Sequence, residues 1–311
     1  MYSIVVVTWN CAAHLRALVA SMNEHLDGGQ ELIVVDNASD DDPGAEVGRW
    51  KGPSRFLTQE ENIGFGAASN VGVAEASRPI TVLLNPDTEL LDDGLDRLAA
   101  AALELGGLVG PRVLNSDGSI QASASGPEVG VWPWLRALVP GRLQPPAMLA
   151  RTEPYRLQRR AQVEWLTGAC IAAPTAELRR LGPFDPQFHM FGEDIDLGLR
   201  AAAAGVGSWL DPDACRIVHH GQGSSTLLYG SQEAWRPTGT LMWRAAVRRA
   251  HGRRREWLGW RALRLNLRLR LLSKSILGRA SDRDRQALAG ALTAKPVPAL
   301  DPPAILSRGK P

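Results

Sequence analysis

The sequence predicts an α/β fold, a single domain whose central sheet is mostly parallel and carries helices on its faces. Two observations lead there. Strand-like and helix-like patterns alternate along the first hundred residues, as in chains of βα units, and the strand-like runs are apolar throughout, as strands covered on both faces must be. A third observation says where to look for function. Each unusual polar cluster follows a strand, and ligands of such sheets sit outside the carboxyl ends of the strands.

The elements follow in order. Residues 3–8, Ser-Ile-Val-Val-Val-Thr, form a buried strand that runs into Thr8-Trp9-Asn10. Residues 13–24 repeat apolar side chains at helical spacing. Residues 31–35 are a second buried strand, ended by Asp36-Asn37-Ala38-Ser39-Asp40. A short strand at 55–57 precedes a helix over 66–76, then a strand at 80–84 ended by Asn85-Pro86-Asp87, then a helix over 92–104. From Pro111 the texture changes: Gly and Pro punctuate residues 126–154, which read as a long, partly mobile insertion. Order returns at 163–171. A helix at 175–181, an acidic segment, a helix to Ala204 and strands at 206–210 and 216–221 complete the pattern, with no internal repeat.

A chain of 311 residues can bury a substantial core, and 44% hydrophobic with 22% charged residues is ordinary for a soluble globular protein. The formal charge of +2 hides an uneven distribution. Between Leu241 and Ala280 twelve Lys and Arg stand against one acid, Glu256. Cys11, Cys170 and Cys215 are scattered without metal-ligand spacing and read as reduced thiols. The apolar opening run lacks a basic flank, and no run approaches the roughly 20 residues that span a bilayer. The catalytic part is expected in the cytoplasm.

The polar clusters each admit two readings. Asp36 with Asn37 and Ser39 forms either a local turn or a carboxylate that accepts hydrogen bonds from a nucleobase or ribose. Asn62-Ile63-Gly64-Phe65-Gly66 is a simple turn, or a helix entry whose backbone can approach a phosphate closely. Asn85-Pro86-Asp87 is an Asx-Pro turn, or a site for Mg²⁺ or Mn²⁺, too sparse in ligands without a diphosphate. His219-His220-Gly221 is structural or ligates a metal.

The acidic segment Phe191-Gly192-Glu193-Asp194-Ile195-Asp196 puts three carboxylates within four positions at a helix start. Attraction to the positive end of the helix dipole explains part of this. It does not explain the apolar turn His189-Met190-Phe191-Gly192 before it. A carboxylate framed by Phe and Met is desolvated, which suits it to proton abstraction.

In this order, the pieces resemble an inverting family 2 glycosyltransferase of the GT-A fold over residues 1–240. The matching motifs are Val6 to Asn10, Val34 to Ser39, Asn62 to Asn70, Leu84 to Thr88, Trp165 to Cys170, Phe184-Asp185, Phe191 to Arg200 and Val218 to Thr226. Within the family the likeness is to rhamnosyltransferases that use dTDP-L-rhamnose and a polyprenyl-diphosphate-linked GlcNAc acceptor. The resemblance implies a nucleotide-sugar-binding half at 1–110 and an acceptor and catalytic half at 111–240. It implies that Thr8, Asn10, Asp36 and Asn37 line the nucleotide pocket, with Gly64 and Asn70 beside the donor. Asp87 would hold Mg²⁺ or Mn²⁺ with His219, while Asn85 stands where the family's first Asp is usual. Trp165 to Gly168 would shape the sugar and acceptor side. Asp194 would be the general base, and Glu193 would position acceptor or sugar. The alternatives are another family 2 transferase, of galactofuranose or hexose, and a nucleotide-sugar-binding protein without turnover.

Beyond the matched part, residues 241–294 read as basic amphipathic helices and 295–311 as a disordered tail. Over 257–277 leucines recur between Arg261, Arg264, Arg268 and Lys274, with Trp257 and Trp260 at one end. That pattern suits an anionic membrane surface, placing the enzyme at the inner face of the plasma membrane. A helix packed on the body or at a homodimer interface is the other reading. Nucleic acid is disfavoured by the leucine content.

Overall fold

The computed structural model describes residues 1–139, 143–188, 191–221 and 232–276, with Ser281, Arg285 and Ala289 besides; of 232–239 only the backbone is described. His189 and Met190, Ser224 to Thr226, and the expected tail at 295–311 lie outside these residues.

β1 (Ser3–Thr8) and β2 (Glu31–Asp36) are buried along their whole length and pair in parallel, joined through α1 (Ala12–His25). After the short α2 (Gly44–Val47), β3 (Ser54–Thr58) adds to the outer edge of β2. The chain then crosses by α3 (Phe65–Glu75) to β4 (Ile80–Leu84), on the other side of β1. The direction of strand addition reverses between β1 and β4, and such a reversal opens a crevice at the strands' carboxyl ends.

β5 (Thr88–Leu90), α4 (Leu95–Leu105), β6 (Leu108–Gly110), β7 (Arg112–Leu114) and β8 (Ala124–Ser125) follow. Next come α5 (Val131–Leu138), α6 (Pro146–Thr152), β9 (Ala161–Val163), β10 (Trp165–Leu166), β11 (Cys170–Pro174) and α7 (Thr175–Leu181). The chain continues through α8 (Glu193–Ala203), β12 (Ser208–Leu210), β13 (Arg216–His219), α9 (Gln232–His251) and α10 (Arg253–Ile276). The main sheet runs β3-β2-β1-β4-β11-β6-β12-β9, and only β11 and β9 oppose the others.

Because side chains alternate across a strand, β1 and β2 feed two cores. Ile4, Val6, Leu32 and Val34 meet Leu15 and Leu18 on one face; Val5 and Ile33 meet Val73 and Phe184 on the other. Each such side chain contributes about 1.5–3 kcal/mol by leaving water.

Two regions differ from the sequence expectation. The stretch at 126–154 holds α5 and α6, and α5 packs on α10. Its prolines punctuate without breaking, since Pro133 and Pro146 stand in first helical turns, where no intrahelical N–H bond is lost. The basic region turns one face inward: Arg244 of α9 and Glu256 of α10 form a buried ion pair at 2.6 Å, with Ala262 buried beyond it. Trp260 is half-buried with Arg244 and Arg264 over its ring, at 4.2 and 4.5 Å, while Trp257 is exposed under Arg261. Among the described residues no helix is long and apolar enough to cross a membrane.

Candidate active site

Four strand ends build one corner. Thr8, at the end of β1, is fully buried, its hydroxyl 3.1 Å from the Cys11 thiol. Asn10 adopts a left-handed conformation (φ 50°), donates its amide to the Ser39 hydroxyl at 2.9 Å and accepts the Asp40 amide. At the end of β2, the Asp36 carboxylate accepts from both the hydroxyl and the amide of Ser39, the local turn the sequence allows. Asn37 is buried and ties three segments together. Its backbone N–H donates to the Thr8 carbonyl, its side-chain amide donates to Asn62 Oδ1 at 2.8 Å, and its Oδ1 accepts the Ile63 amide.

The glycines at the entry to α3 serve two purposes. Gly64 holds φ 89°, which an L side chain rarely adopts, as the residue before the helix. A Cβ on Gly66 would stand 2.9 Å from that of Phe184, so Gly66 lets α3 lie against the loop before α8. Asn70 spends both ends of its amide on that same loop, donating to the Phe184 carbonyl (2.7 Å) and accepting the Phe184 amide (2.9 Å). It clamps α3 to the loop rather than presenting its amide to a ligand.

Asn85 and Asp87 follow β4, and His219 ends β13. The register of β13 against β5 sets His219 opposite Thr88 and so brings it beside Asp87, across more than a hundred residues of sequence. His219 Nε2 lies 3.3 Å from Asp87 Oδ1 and 3.5 Å from Asn85 Nδ2. The other ring nitrogen, Nδ1, donates to Gln121 Oε1 at 2.8 Å. That bond places a proton on Nδ1, so Nε2 is the nitrogen turned to the Asp87 carboxylate. Beside this pair Asn85 Oδ1 is buried with no hydrogen-bond partner. A hard divalent cation fits this donor set. Among the described residues no cluster of three His, Cys, Asp or Glu forms a complete metal cage, so further oxygens would have to come from a ligand. His220 is engaged elsewhere, with Glu89 at 2.7 Å and Ser116 at 2.9 Å. Sequence reasoning missed Gln121, which lies where no periodic pattern marks a residue.

The second corner is the N-terminus of α8. Phe191 and Gly192 both hold positive φ, 69° and 85°, and a Cβ on Gly192 would collide with Met242 of α9. This bent entry delivers three acids to three environments. Asp196 is fully compensated, by Arg200 at 2.6 Å and Arg249 at 2.9 Å, and Arg249 also pairs with Asp185. Asp194 accepts the Gly168 amide (3.1 Å) and the Ile195 amide (2.8 Å), yet burial pushes its carboxyl above the usual range. Glu193 is buried with Oε2 unpartnered. Burial first and the neighbouring Asp194 charge second push it up to about 8. Trp165 does not face Asp194 with its indole nitrogen, which donates to Glu128 at 2.8 Å; Gly168, three residues on, makes the contact.

Sheet order, and polar loops gathered where strand addition reverses, define the class: a glycosyltransferase of the GT-A fold. The chain belongs to glycosyl transferase family 2, whose model matches residues 3–166. A curated relative, the N-acetylglucosaminyl-diphospho-decaprenol L-rhamnosyltransferase of Mycobacterium tuberculosis, is 29% identical over 245 residues, covering 70% of this chain and 75% of the relative. The mannosyltransferase of Pyrobaculum calidifontis, solved with GDP-Man and Mn²⁺, has a TM-score of 0.58 at 17% identity and covers 94% of this chain and 85% of that one. A structure of GalNAc-T7 with UDP, GalNAc and Mn²⁺ gives 0.53 at 18% identity, covering 70% of this chain and 42% of that longer one. At these identities the two structures attest the fold.

Proposed function

We propose that this enzyme transfers L-rhamnose from dTDP-L-rhamnose, with inversion, to a hydroxyl of a lipid-linked GlcNAc-diphosphate acceptor. The donor and acceptor rest on likeness to the mycobacterial relative. The chemistry rests on one observation: Asp194 is a desolvated carboxylate, held by two backbone amides and paired with no cationic side chain among the described residues. An inverting transfer is a single displacement that needs one base on the acceptor hydroxyl; a double displacement would need a second carboxylate as nucleophile. Asp194 takes the acceptor proton. Glu193, protonated at neutral pH by its burial, offers a hydrogen-bond donor to acceptor or sugar. Asp36, Asn37, Thr8 and Asn10 form the nucleotide side.

Mg²⁺ or Mn²⁺ would be held by Asp87 and His219, with Asn85 Oδ1 as a neutral third donor. When bound it would neutralise the charge that develops on the departing diphosphate. Arg254, Arg261 and Arg268 share one exposed face of α10 with Trp257, Leu258, Leu269, Leu272 and Ile276. That face suits an anionic membrane, each basic residue contributing about 1 kcal/mol, which would place catalysis at the inner face of the plasma membrane. Co-sedimentation with anionic vesicles at low salt, weakened by salt and by Leu272→Ser with Ile276→Ser, checks this placement.

The test is incubation with dTDP-L-rhamnose, Mg²⁺ or Mn²⁺ and a GlcNAc-diphosphoryl lipid, with the product's anomeric configuration read by NMR. The expected result is an inverted rhamnosyl product. Turnover only with a hexose or galactofuranose donor would replace the substrate assignment, and retention of configuration would overturn the mechanism.

A further inference from the structure

Between β8, β10, α5 and the last two helices lies a cavity of about 550 Å³, within the size range of small-molecule sites. The transfer chemistry does not use it. Trp165 connects it to the catalytic corner. Its ring lines the cavity, and its Cβ lies 2.6 Å from where a side chain on Gly198 of α8 would begin, one turn beyond Asp194.

The polar groups of the wall are mostly spent within the protein. The indole N–H groups of Trp165 and Trp243 donate to the two oxygens of Glu128, at 2.8 and 3.1 Å. Arg136 pairs with Glu153 at 3.0 Å, and the Asn266 amide donates to the Arg136 carbonyl at 2.8 Å. A sugar needs free donors and acceptors for its hydroxyls, and this wall withholds them. What it presents is carbon: Pro127, Pro133, Leu263, Leu267 and the faces of the two indoles. Those rings are fixed by Glu128, so a ligand orders little on arrival. At the rim stands Arg270, exposed and in no ion pair among the described residues. The helix that supplies Leu263, Leu267 and Arg270 is the one with the basic and apolar outer face.

We propose that this cavity holds the hydrocarbon chain of a lipid-linked acceptor, with Arg270 meeting the phosphates at its mouth and Trp165 forming the partition from Asp194. The assignment rests on the lipid-linked acceptor named above and specifies where its chain lies. It gives the insertion and the C-terminal helices a shared purpose: together they wall a slot beside the catalytic helix.

Two measurements test it on the full chain, wild type against Leu267→Gln, which makes the wall polar, and Leu263→Phe, which fills the slot. Both sites are half-buried, and thermal denaturation reports whether each variant folds. The first measurement is quenching of tryptophan fluorescence by a dodecyl diphosphate brominated near its chain end. Quenching is expected in the wild type and should need at least tenfold more probe in both variants. No quenching in the wild type, or equal quenching in all three proteins, overturns the proposal. The second compares acceptors with long and short chains. In the variants KM should rise about tenfold more for the long-chain acceptor, and an equal rise for both overturns the proposal. If no lipid-linked acceptor is glycosylated, the functional reading fails, and the quenching experiment still decides the cavity.

Discussion

The two corners of the active site treat their acids in opposite ways. At the strand ends each acid meets a partner: Asp36 is held by Ser39, and Asp87 faces the imidazole of His219. At the start of α8, Glu193 is buried with Oε2 unpartnered and the partly buried Asp194 has only backbone amides for company, although Asp196, two residues on, has two arginines. Crowding alone would have been relieved by the same arginines. Desolvation without an opposing charge is therefore what singles out Asp194 as the proposed base, whereas at the proposed donor corner an acid, an imidazole nitrogen and an orphaned amide oxygen lie together, a donor set that fits a cation.

That contrast can be broken at several points. Asp194→Asn removes the proposed base, and turnover should fall by about 10²–10⁴ while donor affinity in calorimetry persists. Retention of more than about a tenth of wild-type turnover would exclude Asp194 as base. Arg249→Met uncouples the compensated acids: Asp196 and Asp185 lose a buried partner, and urea denaturation should show a loss of about 3–5 kcal/mol. A smaller effect is expected at the donor corner. Gln121→Leu frees the His219 ring and should weaken cation affinity by about 10- to 100-fold, measured with Mn²⁺ in the presence of nucleotide.

The smallest effect concerns pH. The Glu193 carboxyl is raised above its unfolded value, so its contribution to stability is full below the ordinary glutamate range and is lost as pH rises through about 8. Thermal melts of Glu193→Gln should therefore gain on the wild type from about pH 5 to about pH 8. A constant difference between the two proteins across that range would show that Glu193 is not held protonated.

The first half of the fold was legible because each βα unit is written locally. The run at 80–84 is a strand with those same limits, and beyond the first half the helix at 175–181 likewise keeps its limits. The site was legible in its parts but not in its assembly. That His219, and not His220, faces Asp87 depends on a strand register, which no local pattern carries. Gln121 comes from a stretch without periodicity. Arg249 was hidden in a basic count that suggested a surface, yet it is buried between Asp185 and Asp196. Pro133 and Pro146 read as punctuation, although a proline in a first turn starts a helix as readily as it stops one.

The division of labour between the corners is tested most directly by calorimetric titration of dTDP-L-rhamnose with Mn²⁺ and with chelator, into wild type, Asp87→Ala and Asp194→Asn. The account predicts cation-dependent donor binding in the wild type, its loss in Asp87→Ala and its survival in Asp194→Asn. Equal wild-type affinity with cation and with chelator, or loss of donor binding in Asp194→Asn, would contradict it.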